Sequence, residues 1–93
     1  MARETRSTTY SGVGSIGTTT GPRQVQYQFV CTGDVEVRNG RVIGGVVGRR
    51  CAGTVAPVGG GLRFGNGQFE LSLDSGEVWR VEHDNGQWLR IAS

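Results

Sequence analysis

The chain has 93 residues, of which 17 are glycine and 35% are hydrophobic, and ten arginines against eight carboxylates give a formal net charge of +2. This length accommodates one small domain whose core is too shallow for a deep internal active site. The absence of lysine excludes Schiff-base chemistry and Walker-type phosphate binding, and the near balance of charge argues against a dedicated nucleic-acid binder.

Residues 1–22 are rich in Ser, Thr and Gly, and Tyr10, Val13 and Ile16 are their only large apolar side chains besides the initial methionine. This composition predicts an N-terminal arm or edge strand, followed by an antiparallel β domain over residues 23–93. Residues 12–17 match the pattern G-x-G-x-x-G, but the Thr-rich segment after them ends in proline and is a poor helix former. We therefore predict no dinucleotide or other cofactor there.

The clearest strand covers residues 24–32, in which apolar and polar side chains alternate. Its predicted inner face consists of Val25, Tyr27, Phe29 and Cys31. The strand continues towards Asn39-Gly40, and the chain is expected to return from that pair as a hairpin. Gly44-Gly45 then interrupts the returning strand, which predicts a β-bulge or a sharp bend.

Asn-Gly pairs occur at residues 39–40, 66–67 and 85–86, each between short runs of strand-forming residues. Asn and Gly tolerate the positive φ angles of the type I′ turn, so each pair predicts a hairpin. Together with Ser75-Gly76, these pairs give the second half of the chain the turn spacing of a β-meander. We predict an all-β domain of about six or seven antiparallel strands, closed or nearly closed as a small barrel or sandwich.

The two cysteines occupy the same position in a short recurring pattern, because Cys-x-Gly-x-Val at residues 31–35 occurs again at residues 51–55. Equivalent strands would place Cys31 and Cys51 on one interior face, within reach of a disulfide. A structural bridge and two buried reduced thiols both remain open, and a reactive role is a third alternative. No further Cys or His completes a zinc site, so we predict no metal.

In the last two predicted strands Trp79 with Val81, and Leu89 with Ile91, are expected to face the core. Trp88 would then share the outer face with Arg90. Tryptophan and arginine are the residue types most enriched at binding hot spots. The predicted binding patch comprises Arg63, Phe64, Arg80, Trp88 and Arg90. The alternative is that Trp88 closes one end of a barrel and an arginine stacks on it.

Catalysis has little support in the sequence. The only histidine, His83, precedes Asp84 at a predicted turn, where neighbouring side chains point apart. A serine nucleophile would need an oxyanion hole and a cleft that a thin β-meander seldom provides. We predict that the protein is not an enzyme and has no catalytic residues.

The function expected from these features is protein–protein interaction or assembly, with a protein partner or a second copy of the chain. A small core together with exposed strand edges is typical of virion assembly proteins and of small phage-encoded inhibitors of host proteins. One alternative is an OB-like or SH3-like barrel that binds nucleic acid through Arg and aromatic side chains. Another is a secreted module with a disulfide. No apolar stretch predicts a membrane span or a signal peptide, so the expected location is the cytoplasm of the producing or host cell or a virion, with secretion as the alternative if the native N-terminus was replaced.

Overall fold

A computed structural model describes residues 2–61 and 63–92, which form β-strands joined by turns and one longer loop. The strands are β1 (Ala2–Thr18), β2 (Gly21–Arg38), β3 (Arg41–Pro57), β4 (Gly67–Ser72), β5 (Val78–Asp84) and β6 (Gln87–Ala92). They close an antiparallel barrel in the order β1-β2-β3-β6-β5-β4. The prediction of a small all-β barrel is confirmed. None of the described residues forms a helix of the length and apolarity that crossing a membrane requires.

The barrel interior is filled by the alternating residues that the sequence pattern indicated. Val25, Tyr27, Phe29 and Cys31 of β2 are all buried, as predicted for its inner face. Trp79 is completely buried, and its ring lies edge-on to those of Phe29 and Tyr10 at centroid distances of 5.6 and 5.1 Å. Each large side chain removed from water in this way stabilises the fold by about 1.5–3 kcal/mol.

The first three strands are about three times as long as the last three, and this difference determines the shape of the molecule. β1 pairs with β2 from Ala2 to Thr18, whereas it pairs with β4 only at Ser15 and Ile16. β3 pairs with β6 only at Ala52 and Gly53. Residues 2–9, 32–38 and 41–50 therefore continue past the barrel as a three-stranded ribbon. The molecule is accordingly elongated, with extents of 52 × 25 × 18 Å.

Two of the three Asn-Gly pairs form the predicted hairpins. Asn39 and Asn85 have φ angles of 52° and 47°, and the glycine after each also has a positive φ. The prediction for Asn66-Gly67 is wrong, because Asn66 lacks a positive φ and the pair ends a longer loop before β4. The Asn66 side chain instead accepts a hydrogen bond of 3.0 Å from the Asn85 backbone N–H, and so supports the β5–β6 turn.

The predicted interruption at Gly44-Gly45 is confirmed as an irregularity in the β2–β3 pairing. Asp34 lies opposite Val47 and Glu36 opposite Ile43, so β3 has two extra residues over this interval. A second shift lies between Thr32 and Asp34. Both irregularities are in the ribbon, so they bend its outer strand and take no part in closing the barrel.

The predicted orientation of β6 is wrong. The two-residue turn pairs His83 with Trp88 and Val81 with Arg90. Because Val81 faces the core, Arg90 lies on the inner side of the sheet, and Trp88 lies there too. Leu89 and Ile91, expected inside, are 42% and 46% exposed.

Candidate functional site

One end of the barrel is closed by an aromatic cluster. The Trp88 ring is 3% exposed and stacks on the His83 ring at a centroid distance of 4.5 Å. The Phe64 ring meets Trp88 edge-on at 5.2 Å, and Phe69 packs against both. The Trp88 ring therefore fills this end of the barrel. The ring stacked on it is that of a histidine, where the sequence suggested an arginine.

The opposite end of the barrel, where the ribbon begins, carries two arginines above aromatic rings. The Arg90 guanidinium carbon lies 4.0 Å from the centre of the Trp79 ring. Arg49 donates a hydrogen bond of 3.1 Å from Nη2 to the Tyr10 hydroxyl. Burial lowers the pKa of Arg90 below its ordinary value, and the positive charge of Arg49 lowers it further. Stacking on Trp79 compensates part of the cost of removing this cation from water.

The predicted binding patch is therefore divided among three parts of the molecule. Phe64 and Trp88 are in contact at the closed end, and the exposed Arg63 precedes Phe64 in the loop before β4. Arg90 lies at the opposite end of the barrel. Arg80 is exposed on the outer side of β5, opposite Glu70 of β4. The structure does not bring these five residues together on one surface.

Cys31 and Cys51 are directly opposite each other in the β2–β3 ladder and form a disulfide. Both are buried at the junction between the barrel and the ribbon. The bond fixes the two strands to each other at the point where the rest of the barrel ends. The ribbon beyond this point is held mainly by its backbone ladders.

The hydrogen bonds of His83 give it a structural role. Its Nδ1 is 3.0 Å from the Gly65 carbonyl oxygen, and its Nε2 is 3.1 Å from the Gly86 backbone nitrogen. Since Nε2 accepts a hydrogen bond from a backbone N–H, Nδ1 carries the ring proton and donates a hydrogen bond to the carbonyl oxygen. Both ring nitrogens are thereby used in joining the loop before β4 to the β5–β6 turn.

Two glycines of the G-x-G-x-x-G segment lie where β1 packs closely against other parts of the barrel. A Cβ added at Gly14 would collide with the Ser72 carbonyl oxygen. A Cβ at Gly12 would lie 3.0 Å from the Tyr27 hydroxyl, which donates a hydrogen bond of 2.6 Å to Asp74. The segment is a regular strand that pairs with β2 throughout. No group of three or more potential metal ligands occurs in the part of the chain that the structure describes.

The ribbon combines the predicted hairpin at Asn39-Gly40 with the predicted edge strand, but its extension beyond the barrel was not predicted. Its exposed apolar side chains are Val42, Val46 and Val47, which are 51–58% exposed. Its charged side chains have mixed signs, namely Arg3, Glu4, Arg6, Asp34, Glu36, Arg38, Arg41, Arg49 and Arg50. The sequence analysis predicted this part of β1 only as an N-terminal arm or edge strand.

The two long edges of the ribbon differ. Along residues 2–9, β1 keeps a regular register with β2, and the described residues include no strand on its other side. Along residues 41–50, β3 contains both register shifts and has positive φ angles at Gly44 and Gly48. Bulges twist an edge away from further pairing, so only the β1 edge presents a straight row of backbone donors and acceptors.

The sequence matches no protein-family model, and comparisons with curated proteins and with solved structures find no match.

Proposed function

We propose that the protein is a non-catalytic binding or assembly module in which the barrel is a rigid base and the ribbon provides the contact surface. The supporting observation is that residues 2–9, 32–38 and 41–50 extend beyond the barrel. At about 3.3 Å per residue, the strand from Cys31 to Arg38 reaches about 23 Å past the disulfide. Such an extension adds little core, but it exposes strand edges that can pair with another chain.

The distribution of charge supports a protein partner over nucleic acid. Arg38 and Arg41 flank the turn at the tip of the ribbon, and Arg49 and Arg50 lie near its base. Arg63 is at the other end of the barrel. The ribbon also carries the carboxylates Glu4, Asp34 and Glu36, of which Glu36 lies two residues before Arg38 on the same strand and opposite Arg3 of β1. A phosphate backbone would need a continuous positive track, and protein interfaces use alternating signs for specificity.

The roles found for the polar side chains support the non-catalytic part of the proposal. Both ring nitrogens of His83 are hydrogen-bonded to backbone groups. Asp74, which lies across one turn from Glu77, accepts the hydrogen bond of Tyr27. Glu77 accepts one of 3.1 Å from the Trp79 indole. His83 and Asp74 thereby join segments that are distant in the sequence, and Glu77 holds the Trp79 indole two residues away.

The biological setting remains a prediction. The disulfide supports the alternative of a module that works in an oxidising compartment, where such bonds persist. The predictions of a virion or host-cell location depend on an analogy. Like virion proteins and phage inhibitors, the protein is small and has adhesive strand edges. In each setting the proposed contact surface is the ribbon.

A comparison of two matched variants tests the proposal. The ribbon variant carries Thr5→Pro, Val42→Glu and Val47→Glu, which remove a backbone donor and introduce charge on the ribbon. The control carries Val78→Glu at a barrel valine that is 53% exposed, close to the 58% of Val47. Both are immobilised beside the unmodified protein, and captured proteins and self-association are measured after their folding has been verified by circular dichroism.

We expect the ribbon variant to lose self-association and every partner that the unmodified protein and the control both retain. Retention of all partners by the ribbon variant would contradict the proposal. So would co-purification with nucleic acid that dissociates steeply as salt rises, because phosphate contacts have that dependence.

A further inference from the structure

We propose that two copies of this chain associate through the edge of β1, residues 2–8 of each pairing antiparallel about a two-fold axis at Thr5. The two ribbons would then form one continuous six-stranded sheet. This inference rests on the proposed function, since it identifies the partner of the ribbon as a second copy of the chain.

The first support is the shape of the edge. Residues 2–9 of β1 are exposed and pair regularly with β2 from Ala2↔Val37 to Thr9↔Val30. In this segment the positions contain no glycine, proline or bulge that would interrupt a new ladder. The other ribbon edge is disrupted by its two register shifts. Association is therefore directed to one edge, as a closed dimer requires.

The second support is the charge pattern, which complements itself in only one of three neighbouring registers. Glu4 and Arg6 lie on one face of β1, where Arg6 Nη2 is 2.8 Å from Glu4 Oε2. Thr5 lies on the opposite face and donates a hydrogen bond of 3.0 Å to Asp34. A two-fold axis at Thr5 places Glu4 of each copy opposite Arg6 of the other, twice in the dimer.

Neighbouring registers are disfavoured by the same two side chains. A two-fold axis perpendicular to the sheet keeps each face of β1 on the same side of the joined sheet. The axis must therefore lie midway between a residue and its own copy, because any other position would set residues of opposite faces against each other. An axis at Glu4 places the two Glu4 carboxylates opposite each other, and an axis at Arg6 does the same to the guanidinium groups. Like charges directly opposite destabilise a strand pair. The register centred on Thr5 is thus selected over both.

Charge reversal provides the test. Glu4→Arg alone places two positive side chains opposite two others across the axis, and Arg6→Glu alone does the same with negative ones. We expect the dissociation constant of each single variant to rise about tenfold or more, measured by sedimentation velocity over a range of concentrations. The double variant Glu4→Arg/Arg6→Glu restores the opposite pairs and is expected to dimerise like the unmodified protein.

Mixing the two single variants is the most specific measurement. A dimer of one Glu4→Arg chain with one Arg6→Glu chain has opposite charges at both contacts. The mixture should therefore form heterodimers at concentrations where each variant alone is monomeric. If the mixture stays monomeric while the unmodified protein dimerises, the proposed register is wrong.

A cysteine at the axis tests the register independently of charge. Thr5→Cys would lie opposite its own copy, at the strand-pair separation that a disulfide can bridge, and should form a covalent dimer on mild oxidation. Ser7→Cys, on the same face, would be about 14 Å from its copy and should remain monomeric. Equal cross-linking of both variants would overturn the proposed axis.

The outcome also separates this inference from the proposed function. An unmodified protein that is monomeric at all accessible concentrations overturns self-pairing. The proposed function fails separately, if the Thr5→Pro/Val42→Glu/Val47→Glu variant keeps every partner of the control. Charge reversal at Glu4 or Arg6 leaves the exposed Val42, Val46 and Val47 of the ribbon unchanged, so a different protein held by those side chains would still be captured.

Discussion

The barrel and the ribbon share the strands β1, β2 and β3, yet the two regions are stabilised in different ways. Of the buried hydrophobic residues among those described, all except Val35 lie in the barrel or at its junction with the ribbon. The ribbon depends on backbone ladders that continue out of the barrel, and its side chains are mostly exposed. A region that contributes so little to the core is available for contacts with another chain.

The largest expected difference between the regions comes from truncating one buried side chain in each. Trp79→Ala removes a completely buried ring that contacts Phe29 and Tyr10 and should lower the free energy of unfolding by about 3–5 kcal/mol. Val35→Ala in the ribbon should cost less than about 2 kcal/mol, because its surroundings can collapse around a smaller side chain. Urea denaturation followed by tryptophan fluorescence and circular dichroism measures both.

The control for this pair is Val78→Ala, at an exposed barrel position, which should change stability by less than about 0.5 kcal/mol. Losses of equal size at Trp79 and Val35 would contradict the distinction between a packed barrel and a thin ribbon.

The next largest effect is expected from the disulfide that separates the two regions. Replacing both Cys31 and Cys51 by alanine opens a loop with a sequence separation of 20 residues. The stability lost should be about 3 kcal/mol, and the melting temperature should fall by more than about 10 °C. Calorimetry with and without reductant measures the change. The double variant should be insensitive to reductant, and an unmodified protein whose melting temperature does not change on reduction would contradict the expectation.

The two hairpin asparagines provide a smaller and closely matched comparison. Asn85 and Asn39 have similar positive φ angles, but Asn85 is also held by Asn66 in the barrel. Asn85→Ala should lower global stability by about 1 kcal/mol, because alanine is strained at positive φ and loses the side-chain contact. Asn39→Ala should instead increase amide hydrogen exchange near the ribbon tip with little global change. The opposite assignment of these effects would make the ribbon tip part of the cooperative fold.

The parts of the fold that were predicted correctly are those where burial imposes a period on the sequence. Val25, Tyr27 and Phe29 alternate because one face of β2 packs into the barrel. The ribbon has solvent on most of both faces, so residues 2–9 show no such period and were predicted only as an arm or edge strand.

The orientation of β6 was missed for a different reason. Its apolar residues Leu89 and Ile91 alternate, but they are on the outer side, and the inner positions hold Trp88 and Arg90. The signal that places them correctly is the two-residue Asn85-Gly86 turn, which pairs Arg90 with the buried Val81. The candidate site could not be predicted as a surface, because the exposed edge of β1 results from strand lengths rather than from any motif.

The last expected effect is a change in stability at high pH that originates in the barrel. Burial, and then the hydrogen bond to Asp74, raise the pKa of Tyr27 from 10.0 to about 12. The folded state therefore holds this proton more tightly than the unfolded state. The resulting stabilisation is fully present below pH 10 and is lost as the pH rises towards 12.

Tyrosinate absorbance should show the late ionisation, and Tyr27→Phe should remove both the late step and its contribution to the pH dependence. Asp74→Asn should move the Tyr27 pKa back towards 10.0, whereas Asp34→Asn, whose carboxylate contacts Thr5 in the ribbon, should leave it unchanged. Ionisation of Tyr27 at its ordinary pKa would contradict both the burial of its hydroxyl and its contact with Asp74.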